Sequence, residues 1–255
     1  MSPEKKVPEL SVVILCYHSA GIVRDLVAQI KRELEEAEVD YELVLVGNYT
    51  PGDTGDQTPA VLQELAADNP RFIVVAKEKK GMMGWDMRSG LNVATGAHIA
   101  VIDGDGQMPM SDVIKVYRVL QVGNYDLVKT FRAVRNDGCY RRTISAIYNF
   151  LFRLMFPDAR VFRDINSKPK IMTREAFQKM HLVSNDWFTD AEIMIEALRH
   201  SLSIGEVSTI FYENERRGTF VRYAAIGEFL SNLIHYRFIK RYPETKETSC
   251  SNDKD

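Results

Sequence analysis

From residue 10 onward the chain alternates between short unbroken apolar runs and longer stretches where apolar residues return every three or four positions. The unbroken runs at 10–17, 41–46, 71–76 and 98–103 predict strands buried on both faces. The periodic stretches at 22–37, 59–68 and 85–95 predict helices between them. Such β-α repeats in succession predict a mostly parallel, Rossmann-like α/β sheet with helices on both faces. Ser111 stands where it would cap a further helix over 112–121. The second half is less regular. Strands are predicted at 125–133, 168–173 and 203–212, and helices at 141–156, 190–201 and 223–241. The polar stretch 243–255 reads as a disordered tail. No internal repeat or linker divides 8–242, so one domain is expected.

Composition narrows the class without naming it. The chain has 255 residues, of which 45% are hydrophobic and 27% charged, as in ordinary soluble proteins. A formal net charge of −2 argues against a nucleic-acid partner. Cys16, Cys139 and Cys250 share no motif spacing, which gives neither a disulfide framework nor a zinc site and fits a reducing, cytoplasmic setting. The first apolar run is too short to span a membrane and lacks a small-residue cleavage pattern.

The candidate chemistry gathers at "IAVIDGDGQMP", residues 99–109. Asp103 and Asp105 close the fourth predicted strand, and open α/β sheets bind ligands at such strand ends. Two carboxylates this close repel unless positive charge sits between them. Gly104 and Gly106 let the backbone turn sharply and a bulky ligand approach. A plain Asp-Gly turn is the bland alternative. A calcium loop fails, because its sixth position is Met108 and its twelfth is Ile114. A phosphatase of the haloacid-dehalogenase type also ends a strand in Asp-x-Asp, but Gln107 stands where it needs threonine or valine.

The longer pattern Asp103, Asp105, Gln107, Pro109 resembles family 2 glycosyltransferases, within them the polyprenyl-phosphate branch that includes dolichyl-phosphate mannose synthases. Other segments agree in order and spacing over roughly residues 10–222. "SVVILCY" opens the chain as the family does, and Arg142, Ser145 and Asn149 match its Arg-x-x-Ser-x-x-x-Asn helix. Asp164 and Ser167 match its Asp-x-x-Ser segment, and Asp190 with Glu192 its Asp-x-Glu helix. The Arg-x-x-Gly ending is met by Arg216 or Arg217.

The resemblance implies a GT-A fold and a reaction. Residues 8–110 would bind a nucleotide-diphosphate sugar, GDP- or UDP-hexose, and 111–242 the acceptor. Asp105 and Gln107 are implied ligands of Mg²⁺ or Mn²⁺, with Asp103 facing the ribose or the metal shell. Such an ion neutralises a leaving diphosphate. Arg132, Arg142 and Arg217 (or Arg216) are implied cations for developing phosphate charge. Cys16, Tyr17, His18 and Asn48 fall at the nucleotide, Asp164 and Ser167 beside the substrates, and Asp190 and Glu192 at the acceptor loop. The Glu-Asp base motif of hydroxyl-transferring relatives is missing, which favours a polyprenyl phosphate acceptor, already an anion near neutral pH. A sugar-hydroxyl acceptor is the alternative, and a nucleotide-sugar-binding protein without catalysis is another.

Three segments depart from the family pattern. "VGNYTPGDT" replaces its Asp-Asp-Gly-Ser turn, His18-Ser19-Ala20 its Asn-Glu, and Lys168-Pro169 its Gly-Phe. Trp85 and "GMMGW" either line a pocket or pack in the core. On the last helix Ile226, Phe229, Leu230, Leu233 and Ile234 form an apolar stripe followed by Arg237, Lys240 and Arg241. Core packing is its default reading, and peripheral contact with an anionic membrane the alternative.

Overall fold

The computed structural model describes residues 6–136, 138–213 and 223–239. β1 (Leu10–Leu15), β2 (Tyr41–Val46), β3 (Phe72–Val75) and β4 (His98–Asp103) alternate with α1 (Val23–Glu36), α2 (Thr58–Ala67) and α3 (Met83–Leu91). Then come α4 (Asp112–Gly123), β5 (Leu127–Arg135), α5 (Gly138–Met155) and β6 (Lys170–Thr173). α6 (Arg174–Lys179), α7 (Thr189–Arg199), β7 (Ile204–Phe211) and α8 (Tyr223–Ile234) complete the order. Each predicted strand is present within two residues at either end. Two short elements carry too little periodicity to be predicted: α6, and a 3₁₀ turn at Pro157–Val161.

The strands form one sheet in the order β3-β2-β1-β4-β6-β5-β7. All neighbours are parallel except β6, which runs against both β4 and β5. Side chains alternate across the sheet as strand geometry requires. Val13 and Leu15 join the core under α3, α5, α7 and α8, while Val12 and Ile14 join the core under α1, α2 and α4. Apolar residues on both faces are what a sheet covered on both sides needs.

One expectation changes here, and one default reading is met. Ser111 stands at the start of α4, but its backbone is already helical and its side chain makes no capping bond. The apolar stripe of α8 packs in the core as its default reading expects, with Phe229, Leu233 and, in the π-helical turn His235–Ile239, Tyr236 all buried, while the Ile226 side chain lies outside the described residues. Ile234 remains exposed. Lys240, Arg241, Cys250 and the stretch 243–255 lie outside the described residues.

The start of α3 docks on the loop before α7. Met82 and Trp85 N–H groups donate to the Asn185 carbonyl at 2.6 and 3.2 Å, and Gly84 N–H to the Asp186 carbonyl at 2.9 Å. A Cβ on Gly84 would meet the Thr189 hydroxyl and come within 2.6 Å of the Asp186 carbonyl and 2.8 Å of the Ser184 carbonyl. Backbone carbonyls cannot rotate away. Gly84→Ala is expected to lower stability by about 2 kcal/mol, against the helix propensity gained, as overpacking does. Urea denaturation beside wild type checks it.

Candidate functional site

β1 leads to β2 on one side of the sheet, and β4 adds on its other side, so the chain's switch point lies between the C-terminal ends of β1 and β4. There the Asp103–Gln107 turn lies against β1. Gly104 N–H donates to the Leu15 carbonyl at 2.9 Å, and a Cβ on Gly104 would stand 2.9 Å from that oxygen. Gly106 has φ +73°, a conformation that favours glycine. The Asp105 carboxylate accepts the Gln107 N–H at 3.0 Å. Gln107 is buried and bonds Tyr212 twice: its side-chain amide donates to the Tyr212 carbonyl at 3.0 Å, and its main-chain carbonyl accepts the Tyr212 N–H at 2.8 Å. The turn is thereby tied to the end of β7. Residues 214–222, with Arg216 and Arg217, follow and lie outside the described residues.

Because β6 is reversed, its beginning lies beside the end of β4. Lys168 and Lys170 arrive there, with side chains 3% and 0% exposed. The Lys168 ammonium stands 3.2 Å from both carboxylate oxygens of Asp103, 2.8 Å from Asp190 Oδ2 and 3.3 Å from Met83 Sδ. Lys170 holds Asp190 Oδ1 and donates to the Ser167 carbonyl at 3.0 Å. Burial works against the Lys168 charge, but Asp103 and Asp190 outweigh it and raise its pKa above the ordinary lysine value. Burial pulls Lys170 down to about 8 despite Asp190. Burial also opposes the Asp190 charge, yet the two lysines hold its carboxyl below the usual range.

The segment 164–168 is fastened from β5 and α5. Arg132 at the end of β5 forms a two-pronged pair with Asp164, Nε to Oδ2 at 2.6 Å and Nη2 to Oδ1 at 2.8 Å, and also reaches Ser145 Oγ at 3.2 Å. The buried Lys129 ammonium donates to the Asp164 carbonyl at 2.6 Å and pairs with Glu206. Asn149 of α5 accepts the Ile165 N–H at 2.9 Å, and Ser167 Oγ meets Thr130 Oγ1 at 2.7 Å. Burial opposes the Asp164 charge, but Arg132 outweighs it and keeps the carboxyl well below the usual range.

At the other end of the site the side chains are largely engaged with one another. Cys16 is fully buried, its thiol directed at the Ile14 carbonyl 3.3 Å away. Asn48 is also fully buried. Its amide donates to Asp86 at 2.9 Å and Ser89 at 2.8 Å, and its oxygen accepts the Lys77 N–H at 2.8 Å. Asp86 pairs with Lys79, whose ammonium also lies 4.1 Å from the centroid of the Tyr17 ring. His18 has φ +51° and its Nε2 lies 3.0 Å from Asp53. Tyr17 and His18 are therefore rim residues, whereas Cys16 and Asn48 are interior ones.

Glu192 is fully buried too, accepting the Val183 and Ser184 N–H groups at 2.8 and 3.0 Å and the Tyr236 hydroxyl. It shapes the loop ahead of α7. Arg142 is exposed on α5. As donors for a hard cation the turn offers the Asp105 carboxylate and the Gln107 side chain, both oxygen-bearing, while Asp103 is held by Lys168. Among the described residues no group of three or more His, Cys, Asp or Glu side chains is arranged to hold a metal ion. These residues fit a cation that takes most of its oxygen shell from a bound diphosphate.

Comparisons with known proteins give the family and the fold. The family model described as glycosyl transferase family 2 matches residues 11–181. The undecaprenyl-phosphate 4-deoxy-4-formamido-L-arabinose transferase of Proteus mirabilis (strain HI4320) is 28% identical over 151 residues, 58% of this chain and 44% of its own. Its namesake from Yersinia enterocolitica is 27% identical over 155 residues, 60% of this chain and 46% of its own. The chain thus spans less than half the length of these curated relatives. A crystal structure of glucosyl-3-phosphoglycerate synthase from Mycobacterium tuberculosis with Mn²⁺, UDP and glucosyl-3-phosphoglycerate superimposes with a TM-score of 0.70 at 15% identity, covering 92% of this chain and 81% of that one. Another, with Mn²⁺, UDP and phosphoglyceric acid, gives 0.68 at 16% identity, covering 92% and 80%. The fold is GT-A.

Sequence reasoning passed over Lys129, Lys170 and Asp86, and marked Lys168 as a departure without giving it a role. A signal existed for the lysines: charged residues inside or beside a strand buried on both faces demand buried partners. The partners come from distant elements and carry no spacing of their own.

Asp164→Asn leaves the Arg132 guanidinium without its counter-charge and is expected to cost about 3 kcal/mol at neutral pH. A depressed carboxyl stabilises fully above its unfolded value near pH 4, and that stability fades as pH falls toward the folded value. Wild type therefore loses stability below about pH 4 that the variant never had, and the gap narrows. Urea midpoints at pH 7 and pH 3 measure it.

Proposed function

The chain belongs to glycosyl transferase family 2, and from that premise we propose that it moves a hexose from UDP or GDP to a polyprenyl phosphate, with inversion. The observation that carries the choice of acceptor is the condition of Asp190 and Glu192. A hydroxyl acceptor needs a base to take its proton. Both Asp190 oxygens are held by lysines, and Glu192 is occupied by two backbone N–H groups and Tyr236. A lipid phosphate needs no base, because its oxygen is already an anion. The acceptor in the names of the curated relatives supports the same choice. The Mn²⁺ and UDP bound by the structural neighbours support the donor and the metal.

On this reading Asp105 and Gln107 hold Mg²⁺ or Mn²⁺ against the diphosphate. The ion supplies Lewis-acid neutralisation of the leaving group. The glycines of the turn let the backbone come close to it. Arg132 acts at one remove, holding Asp164 and with it the segment that carries Lys168. Arg142, with Arg217 or Arg216, is the cation left to meet phosphate charge. Tyr17 and His18 border the nucleotide, and Asn48 contributes by fixing Asp86 and Lys79.

A lipid acceptor calls for a surface that meets lipid. Among the described residues no helix is long and apolar enough to cross a membrane. With most of the α8 stripe turned inward, the larger set of exposed apolar residues at helical spacing lies on α5, beside a smaller pair, Ile234 and Phe238, at the end of the last helix. Ile147, Phe150 and Leu154 are 49%, 64% and 58% exposed, and α5 carries Arg141, Arg142 and Arg153 with no carboxylate. We place the peripheral contact there.

The transfer reading is tested by a panel of labelled UDP- and GDP-sugars incubated with polyprenyl phosphate and Mn²⁺. Lipid-linked label is expected from at least one donor, reduced about a hundredfold or more in Asp105→Ala. Donor-dependent thermal stabilisation with no turnover would favour a binding protein, and turnover only onto sugar hydroxyls would overturn the acceptor. Sedimentation with anionic vesicles tests the surface. Phe150→Ser with Leu154→Ser is expected to lower the bound fraction about fivefold without changing the melting temperature, and equal binding by both proteins would refute the placement.

A further inference from the structure

At the position where the family pattern has glycine, this chain carries Lys168, and its ammonium is seated on the inner side of Asp103. Both Asp103 oxygens lie 3.2 Å from it, and its remaining contacts are Asp190 Oδ2 at 2.8 Å and Met83 Sδ at 3.3 Å. The seat is built from several directions: the segment leading into β6 supplies the lysine, β4 and α7 the carboxylates, and α3 the thioether. With its side chain 3% exposed, Lys168 cannot swing out to a ligand, whereas the Asp103 side chain is 26% exposed. A positive charge is therefore fixed against one of the two carboxylates of the turn before any ligand arrives.

We propose that Lys168 keeps Asp103 out of the metal shell and leaves Asp105 as the sole carboxylate ligand. The inference rests on the function proposed above and deepens it. Asp103 and Asp105 together would attract a divalent cation on their own, as paired carboxylates do. With Asp103 already neutralised, one carboxylate and one amide oxygen are too few ligands for Mg²⁺ or Mn²⁺, which then binds only together with the diphosphate that supplies the other oxygens. Asp103 keeps its outer face for a neutral hydrogen-bonding partner, such as a ribose hydroxyl. Lys168 is on this account a positioning residue. It sets the order of binding and touches no reacting atom.

The test is Mn²⁺ binding, followed by electron paramagnetic resonance, with and without UDP or GDP. Wild type is expected to bind Mn²⁺ weakly alone and at least about tenfold more tightly with a nucleoside diphosphate. Lys168→Met is expected to gain about tenfold in nucleotide-free affinity, and adding Asp103→Asn to it should remove that gain, which a merely structural role would not produce. Lys168→Arg should behave as wild type. Equal nucleotide-free affinity in wild type and folded Lys168→Met overturns the inference and leaves the proposed function standing. If Lys168→Met does not fold, Asp103→Asn alone decides: Mn²⁺–UDP affinity within about twofold of wild type supports the inference, and a tenfold loss makes Asp103 a ligand and overturns it. Failure of both UDP and GDP to draw Mn²⁺ onto wild type overturns the proposed function, while the nucleotide-free comparison still decides the role of Lys168.

Discussion

A strand that runs against both its neighbours delivers its beginning where theirs end, and β6 is such a strand. Its reversal brings Lys168 and Lys170 to the ligand-binding edge of the sheet, beneath a turn that already holds two aspartates. Buried ammonium groups are tolerated only beside buried carboxylates, so α7 must present Asp190 between them. From that pairing follow the seat of α7 and the docking of α3 on the preceding loop. The segment 164–168, which leads into β6, is fastened by Arg132, Lys129, Asn149 and Thr130. The site is an arrangement of charges before it is a shape.

The two ends of the site are built differently. At the β4 end, Gly106 and a carboxylate face outward from a turn fastened to β1 and β7. At the β2 end, Asn48, Asp86, Ser89 and Lys79 satisfy one another beneath the surface. The first arrangement suits a ligand of fixed chemistry, a metal diphosphate. On the reading proposed here, the second would leave the recognition of a base to rim residues such as Tyr17 and His18, whose loop is unlike the family pattern.

The front half of the fold was plain in the chain because its strands are continuous apolar runs separated by amphipathic helices, and each feature is local. The turn at Asp103 was plain for the same reason. What escaped was non-local. Nothing near Asn48 shows that Asp86, thirty-eight residues on, will occupy its amide. The pairing of Arg132 with Asp164 is likewise invisible at that separation, so Arg132 reads as a free cation in the sequence and as a clamp in the structure. Lys168-Pro169 stood out as a departure, but its meaning depended on the direction of β6, which periodicity does not report. On α8 the apolar stripe was legible and its partner was not: a stripe facing a core and one facing lipid look alike until the exposed residues of α5 are set beside it.

The closure of Asp190 and Glu192 reaches beyond the choice of acceptor. Carboxylates that cannot take a proton from a hydroxyl cannot take one from water. On the reading proposed here, a bound sugar nucleotide waiting for a scarce lipid would not be hydrolysed through Asp190 or Glu192. The same two lysines that hold Asp190 in place would then guard the donor against waste.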